Sequence, residues 1–313
     1  MAIMNKLTMM LLAPNLQVKV WGGQKLKAFK ELNHFDESEG GLGETWEVSC
    51  HPSGPSTYLG KDIRKDIDEE KLPYLVKFID TAAELSIQVH PDDDYAKEHE
   101  DSKGKTESWL ILASDEGSGI YLGLKPGVNK ANLEIALSNK EDLSLLLNFY
   151  PVKVGDFFYV PAGTIHAIGK GVTLAEIQQS SGVTYRVWDW DRLGIDGKHR
   201  ELHVKKSLDV ISFDPKCNKL EAFYYQNERS NNESCLKLVE HSDFVVDRYY
   251  NQECLISLKG DHYHSLLVLE GSVSVEIENV SQVVECYQAV LIVSGVEMLV
   301  RATKGKARYL HIY

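Results

Sequence analysis

Apolar and polar residues alternate over short stretches along most of this chain, and the stretches are separated by Gly, Pro, Asn and Ser turns. A period of two predicts strands at 45–49, 75–79, 85–89, 109–113, 120–124, 156–160, 173–178 and 184–188. Helical spacing is concentrated in the middle, at 129–147, where Leu133, Ile135, Ala136, Leu143, Leu146 and Leu147 form apolar faces interrupted at Ser138-Asn139. A shorter helix is expected after His90-Pro91, with Asp92 to Asp94 at its positive end, and another near 202–210. The polar stretch 227–234 has no periodicity and reads as a linker or exposed loop. Beyond it, strands are expected at 244–249, 255–258, 265–269, 273–277, 289–293 and 308–312. Many short strands with turn residues predict a mainly β fold, a sandwich or barrel, with a helical insertion at about 127–148. The expected division is 1–226, the linker 227–234, and a second β domain at 235–313.

The length of 313 residues, with 43% hydrophobic and 26% charged residues, is globular composition able to bury a core. The net charge of −12 repels nucleic acid and anionic lipid, so neither is expected as a partner. A small phosphorylated ligand stays possible, because a local cluster of cations reverses the field over a few ångströms. Five scattered cysteines with no Cys-x-x-Cys point away from a disulfide framework and toward a reducing, cytoplasmic setting. The start of the chain, Met1 to Ala13, looks briefly like a signal peptide, but Pro14 and the strand-like Val18, Val20 and Trp21 speak against that. No apolar run approaches the length of a membrane span.

Three segments carry candidate chemistry. In Leu85-Ser86-Ile87-Gln88-Val89-His90-Pro91, Gln88 and His90 are two apart and share one side of a strand, while Ile87 and Val89 face the other way. An amide oxygen beside an imidazole suits a divalent metal, although taken alone such a pair more often lies on a solvated strand face. Glu107 follows 17 residues after His90, with Lys105 two residues away on the same side if the chain is extended. A carboxylate can complete a metal site, and a nearby metal would depress the lysine's pKa into a useful acid/base range. Glu and Lys at a strand entrance are also common surface residues. The third segment runs from Gly155 through Pro161-Ala162-Gly163 to His166, which begins the next strand.

This third segment resembles the second motif of the cupin superfamily, Gly-x5-Pro-x-Gly-x2-His, at every fixed position. Together with Leu85 to Pro91, Lys105-Thr106-Glu107 and Tyr185-Arg186, the chain is similar to the type I mannose-6-phosphate isomerases, in particular the compact bacterial form. The resemblance implies two cupin-like jelly-roll units, the first catalytic and the second degenerate. It implies one zinc ion per chain on Gln88, His90, Glu107 and His166. Lys105 takes the position of a proton-transfer residue, Arg186 that of the active-site arginine, and Lys77 and Ser86 those of substrate-side residues. The implied reaction interconverts D-mannose 6-phosphate and D-fructose 6-phosphate through a cis-enediol, with a phosphorylated hexose as the small-molecule partner. The residues leave the oligomeric state open and are compatible with a monomer.

Two departures from the superfamily pattern matter. Gln88 stands where cupins commonly have the first histidine of a His-x-His pair, which argues against an iron oxygenase built on three histidines. Conversely, His262-Tyr263-His264 has that spacing, but Met298 falls where its partner histidine is needed, so this second constellation is expected to hold no metal. The alternative to an isomerase is a noncatalytic, metal-containing sugar-binding or regulatory cupin, against which the presence of both Lys105 and Arg186 speaks.

Overall fold

A computed structural model of the chain describes residues 7–32, 35 and 40–313. Met1 to Lys6, the first part of the signal-like stretch Met1 to Ala13, and His34 lie outside the described residues. The architecture is mainly β, with antiparallel sheets and a few short helices. Among the described residues no helix is long and apolar enough to cross a membrane.

The chain forms two units, each discontinuous in sequence. The smaller combines Trp46–Val76 and Ser230–Tyr313 with the residues up to Asn15, and the larger combines Leu16–Thr45 with Lys77–Arg229. The expected single division at 227–234 therefore describes only the last passage of the chain between units. Strand pairing supplies the reason: Met9–Leu12 pairs with Ala289–Ile292, which carries the beginning of the chain into the sheet built by its end. Nor is the polar stretch after 226 a free loop. Gln226–Asn227 pairs with Asp156–Phe157, and Asn227 Nδ2 donates to Asp156 Oδ1 at 2.8 Å.

In the smaller unit a six-stranded sheet runs in the order Met9–Leu12, Ala289–Ile292, His264–Glu270, Ala307–Ile312, Val245–Asn251, Cys235–Glu240. A four-stranded sheet, Glu253–Ser257, Glu297–Ala302, Val273–Ile277, Val280–Val284, packs against it. Leu266, Val268, Val290 and Tyr309 from the first sheet and Val273, Val275, Met298 and Val300 from the second share one buried core. Alternate residues of each strand point into it, as the period of two requires.

The larger unit carries the five-stranded sheet Leu147–Pro151, Gly119–Leu124, His166–Ile168, Ile87–Val89, Tyr185–Trp188. Its other sheet includes Asp156–Val160, Glu107–Ser114, Val172–Gln179 and residues 77–80 of the strand Tyr74–Asp80 as neighbours in that order. One face of the five-stranded sheet packs Ile87, Val89, Tyr185 and Val187 against Leu133, Ala136, Leu143 and Ile211 of the helical segments. The expected helix over 129–147 is shorter. Asn129 and Asn132 form a capping box for Lys130–Asn139, and Lys140, left-handed at φ 56, ends it. Asp142 then caps a separate 3-10 turn, Leu143–Leu146, before the chain enters a strand. Asp92 caps the helix Asp93–Glu100 by accepting from Tyr95 N at 2.9 Å.

Candidate active site

The interior of the larger unit changes character along its own strands. Ile79, Ile111, Leu174 and Ile168 belong to an apolar core with Trp109, Phe158 and Ile120. Two or four residues along the same strands, and therefore on the same faces, come Lys77, Glu107, Glu176 with Gln178, and His166. All five are buried. A single period-two pattern thus runs from hydrocarbon into a pocket of chemistry.

Register fixes which groups meet. His166 is the Cα partner of Gln88, and Gln88 is the partner of Arg186, so the three form one cross-strand row. On the other sheet Glu107 is opposite Gln178 and Trp109 is opposite Glu176. The donor atoms of His90, Glu107 and His166 lie within 4.8 Å of one another, and among the described residues this is the one group of three His, Cys, Asp or Glu side chains placed to hold a metal ion. His90 Nε2 is 3.2 Å from Glu107 Oε1, and His166 Nε2 is 3.8 Å from Glu107 Oε2. Gln88 Nε2 stands 3.3 Å from His166 Nε2.

The backbone sets the tautomers. His90 Nδ1 is 2.9 Å from Val183 O, and His166 Nδ1 is 2.9 Å from Thr164 O. A carbonyl only accepts, so each Nδ1 carries the proton and each Nε2 turns a lone pair toward Glu107. Two imidazole lone pairs and a carboxylate facing one another require a cation. Lys105 supplies one, donating from Nζ to Glu107 Oε1 at 2.5 Å and to His90 Nε2 at 3.2 Å. The donor set of two imidazole nitrogens and a carboxylate, with the Gln88 amide beside it, is chemically suited to zinc.

Electrostatics follow from burial and these neighbours. Burial opposes the Glu107 carboxylate, but Lys105 and the two histidines outweigh it and hold its pKa well below the ordinary value. Burial, with Lys105 adding to it, pulls His90 down to about 3, and burial likewise lowers His166. Both imidazoles are therefore neutral, the state in which they ligate metals. Burial and the repulsion of Glu107 raise Glu176. Burial also works against the Lys77 ammonium, yet Glu176, Glu44 and Glu107 together keep it charged, with its pKa above the ordinary lysine value.

The loop that delivers Lys105 is tied from several sides. Lys105 N donates to Pro91 O at 3.0 Å, and Thr106 N to Gln179 Oε1 at 2.8 Å. Asp93 accepts from Gly104 N at 2.8 Å and from Gln179 Nε2 at 3.0 Å, so the acidic run does more than begin a helix. Gly104 is needed for this approach, since a Cβ there would stand 2.6 Å from Asp92 C and Asp93 N. On the opposite side Gly163, at φ +82, donates its N–H to His90 O at 2.8 Å and turns the chain toward His166.

The remaining candidates lie around this cluster. Ser86 Oγ is 3.4 Å from Gln88 Oε1. Lys77 Nζ is 2.8 Å from Glu176 Oε1, and so is paired with a carboxylate rather than with the three-donor group. Arg186 is half-buried and gives Nη1 to Glu201 O at 2.9 Å. Two members were not anticipated. Trp109 Nε1 donates to Glu107 Oε2 at 3.1 Å and to Glu176 Oε2 at 3.0 Å, bridging the two carboxylates. Glu176 itself shares the inward face of its strand with Leu174 and Gln178, and that parity was the available signal.

In the smaller unit His264 is engaged elsewhere. Its Nε2 is 3.0 Å from Lys259 O and its Nδ1 is 2.8 Å from His311 Nε2, while its ring stacks on Tyr313. Met298, where a third donor would be needed, is fully buried in the hydrophobic core.

Residues 9–108 match the family described as phosphomannose isomerase type I, catalytic domain. The chain is 40% identical over 222 residues to a mannose-6-phosphate isomerase of Streptococcus mutans, covering 66% of this chain and 69% of that one. Its fold superimposes on the crystal structure of the mannose 6-phosphate isomerase from Bacillus subtilis with a TM-score of 0.80, at 27% identity, over 98% of this chain and 100% of the other. A putative mannosephosphate isomerase from Archaeoglobus fulgidus has the same fold at a TM-score of 0.74, with 22% identity and 99% of each chain covered. The sequence match extends over two thirds of the Streptococcus mutans enzyme, and the chain belongs to the type I phosphomannose isomerase family.

Proposed function

We propose that the protein interconverts D-mannose 6-phosphate and D-fructose 6-phosphate with one zinc ion held by Gln88, His90, Glu107 and His166. The observation that carries this reading is the convergence of His90, Glu107 and His166 within 4.8 Å in a buried cluster that also contains Lys105. The reaction moves a carbonyl between C1 and C2 by taking a proton from one carbon and returning it to the other through a cis-enediol. Bound by these residues, a zinc ion would supply Lewis acidity for the carbonyl shift.

The chain's own groups account for the rest of the chemistry. Lys105 Nζ, hydrogen-bonded to Glu107 and His90, serves as the acid/base that exchanges a proton with the substrate. Trp109 keeps Glu107 and Glu176 oriented through a single indole N–H. Lys77 and Ser86 face the substrate, Lys77 as a cation whose charge is maintained by Glu176. Arg186, in the cross-strand row with Gln88 and His166, offers a planar cation to phosphate or enediolate oxygen.

The test is to incubate the metal-loaded chain with mannose 6-phosphate and follow fructose 6-phosphate. Formation of the ketose supports the reading, and binding of the sugar phosphate without turnover identifies a noncatalytic cupin instead.

A further inference from the structure

The strand that ends at Trp188 runs into a loop, 189–203, that the reaction chemistry above does not use. Asp189 is buried beneath it, 5% exposed, and holds two guanidinium groups. Arg200 donates to it from Nε at 2.7 Å and Nη2 at 2.5 Å, and Arg192 from Nη2 at 2.8 Å and Nε at 3.0 Å. Burial alone would raise the Asp189 carboxyl, but the bonds from Arg200 and Arg192 hold its pKa below the ordinary value.

The near limb of the loop is fastened to the segment preceding Ser86. Trp190 Nε1 donates to Leu85 O at 2.6 Å, and Arg192 Nη1 donates to Glu84 O. Trp190 and Asp191 are both left-handed, at φ 57 and φ 50, and neither is glycine. Two consecutive residues in that conformation persist only where their surroundings over-determine them. The far limb reaches Arg186. Glu201, next to Arg200 in the chain, accepts from Arg186 Nη1 at 2.9 Å through its carbonyl. His203 N donates to Arg186 O at 2.7 Å, and Arg186 N to His203 Nδ1 at 3.2 Å. Among the described residues Arg186 Nε is buried with no hydrogen-bond partner, and the Glu201 carbonyl is the hydrogen-bonding anchor of this guanidinium.

We propose that Asp189 is a positioning residue for the isomerisation: by gripping Arg192 and Arg200 together it closes the 189–203 loop, and the closed loop holds the Glu201 carbonyl against Arg186. This rests on the reading that Arg186 belongs to the active site. An aspartate that merely stabilised the surface would affect the protein equally whether Arg186 is present or not. A positioning residue acts only while there is an arginine to position.

The experiment is a double-mutant cycle on the metal-loaded full chain, with kcat and KM measured for mannose 6-phosphate in Asp189→Asn, Arg186→Ala and the combined variant. Asp189→Asn is expected to lower kcat/KM by about tenfold or more. In the Arg186→Ala background the same change is expected to cost no more than about twofold. Arg200→Gln breaks the same grip from a more exposed side chain and must give the same pattern, which covers a failure of Asp189→Asn to fold. Losses that multiply in the combined variants, or full activity in Asp189→Asn, overturn the inference. An Arg186→Ala chain with undiminished turnover overturns both this inference and the placing of Arg186 in the active site.

Discussion

Lys105 Nζ lies 2.5 Å from Glu107 Oε1, and both side chains are buried, at 7% and 1% exposure. The ammonium thereby neutralises a carboxylate that the two imidazoles already surround with lone pairs. Removing one member of such a pair leaves an uncompensated buried charge, which costs about 3–5 kcal/mol. Lys105→Met is expected to destabilise the metal-free chain by that order and to cost much less once zinc is present, because the metal compensates Glu107 in its place. Thermal unfolding of wild type and variant, with and without zinc, checks this. Equal losses in both states would separate Lys105 from the cation site.

Trp109 acts on the same carboxylate from the other side. Its indole N–H touches Glu107 Oε2 and Glu176 Oε2, and Phe keeps the ring while removing the donor. Groups that orient a metal ligand commonly change metal affinity by about 10- to 100-fold. Trp109→Phe is therefore expected to weaken zinc retention by about that factor in competition with a chelator, with little change in fold by circular dichroism. Unchanged retention would show that Glu107 needs no such restraint.

Gly104 is a steric requirement. Gly104→Ala drives a Cβ to 2.6 Å from the backbone of Asp92 and Asp93 and must displace the loop carrying Lys105. The expected cost is about 1–3 kcal/mol of stability, accompanied by a fall in kcat. Denaturant unfolding and steady-state kinetics measure the two effects. A variant as stable and active as wild type would mean that the loop's course is unimportant.

The smaller unit predicts an acid limb to stability. Burial lowers His264 to about 4 and His311 well below its ordinary value of 6.5. Folded-state pKa values below the unfolded one mean that the unfolded chain binds the extra protons. The stabilisation is complete above about pH 6.5 and is lost as pH falls toward the folded values, by about 1.4 kcal/mol per pH unit for each imidazole. Unfolding free energies between pH 7 and pH 4 should decline, and a His264→Phe/His311→Phe chain should show a shallower slope. Identical slopes would mean that another group titrates.

Much of this was legible in the chain because period two survives burial. Val273–Ile277 and Asp156–Val160 occur as the alternation predicts, and Ile87 and Val89 face helices while Gln88 faces the interior. The discontinuous units were not legible, because pairing of Met9–Leu12 with Ala289–Ile292 is a long-range choice that no local pattern encodes. Apolar spacing continues through Leu143 to Leu147 and so carries the predicted helix past its end, while the break depends on Lys140 turning left-handed and Asp142 capping anew. In the candidate site, spacing and resemblance pointed to residues in three separate segments. Trp109 and Glu176 escaped because an indole and a carboxylate between apolar residues read as ordinary strand positions until the register of the two strands set them opposite each other.

Isomerisation as proposed above requires a divalent cation bound by His90, Glu107 and His166, with Gln88. Its most direct test is elemental analysis of the chain after zinc loading and desalting, paired with turnover of mannose 6-phosphate on the same samples, for wild type and for His166→Ala. About one zinc per wild-type chain is expected, with turnover that falls in proportion as a chelator removes it and neither metal nor turnover in the variant. A wild-type chain that interconverts the sugar phosphates while holding no metal would contradict it.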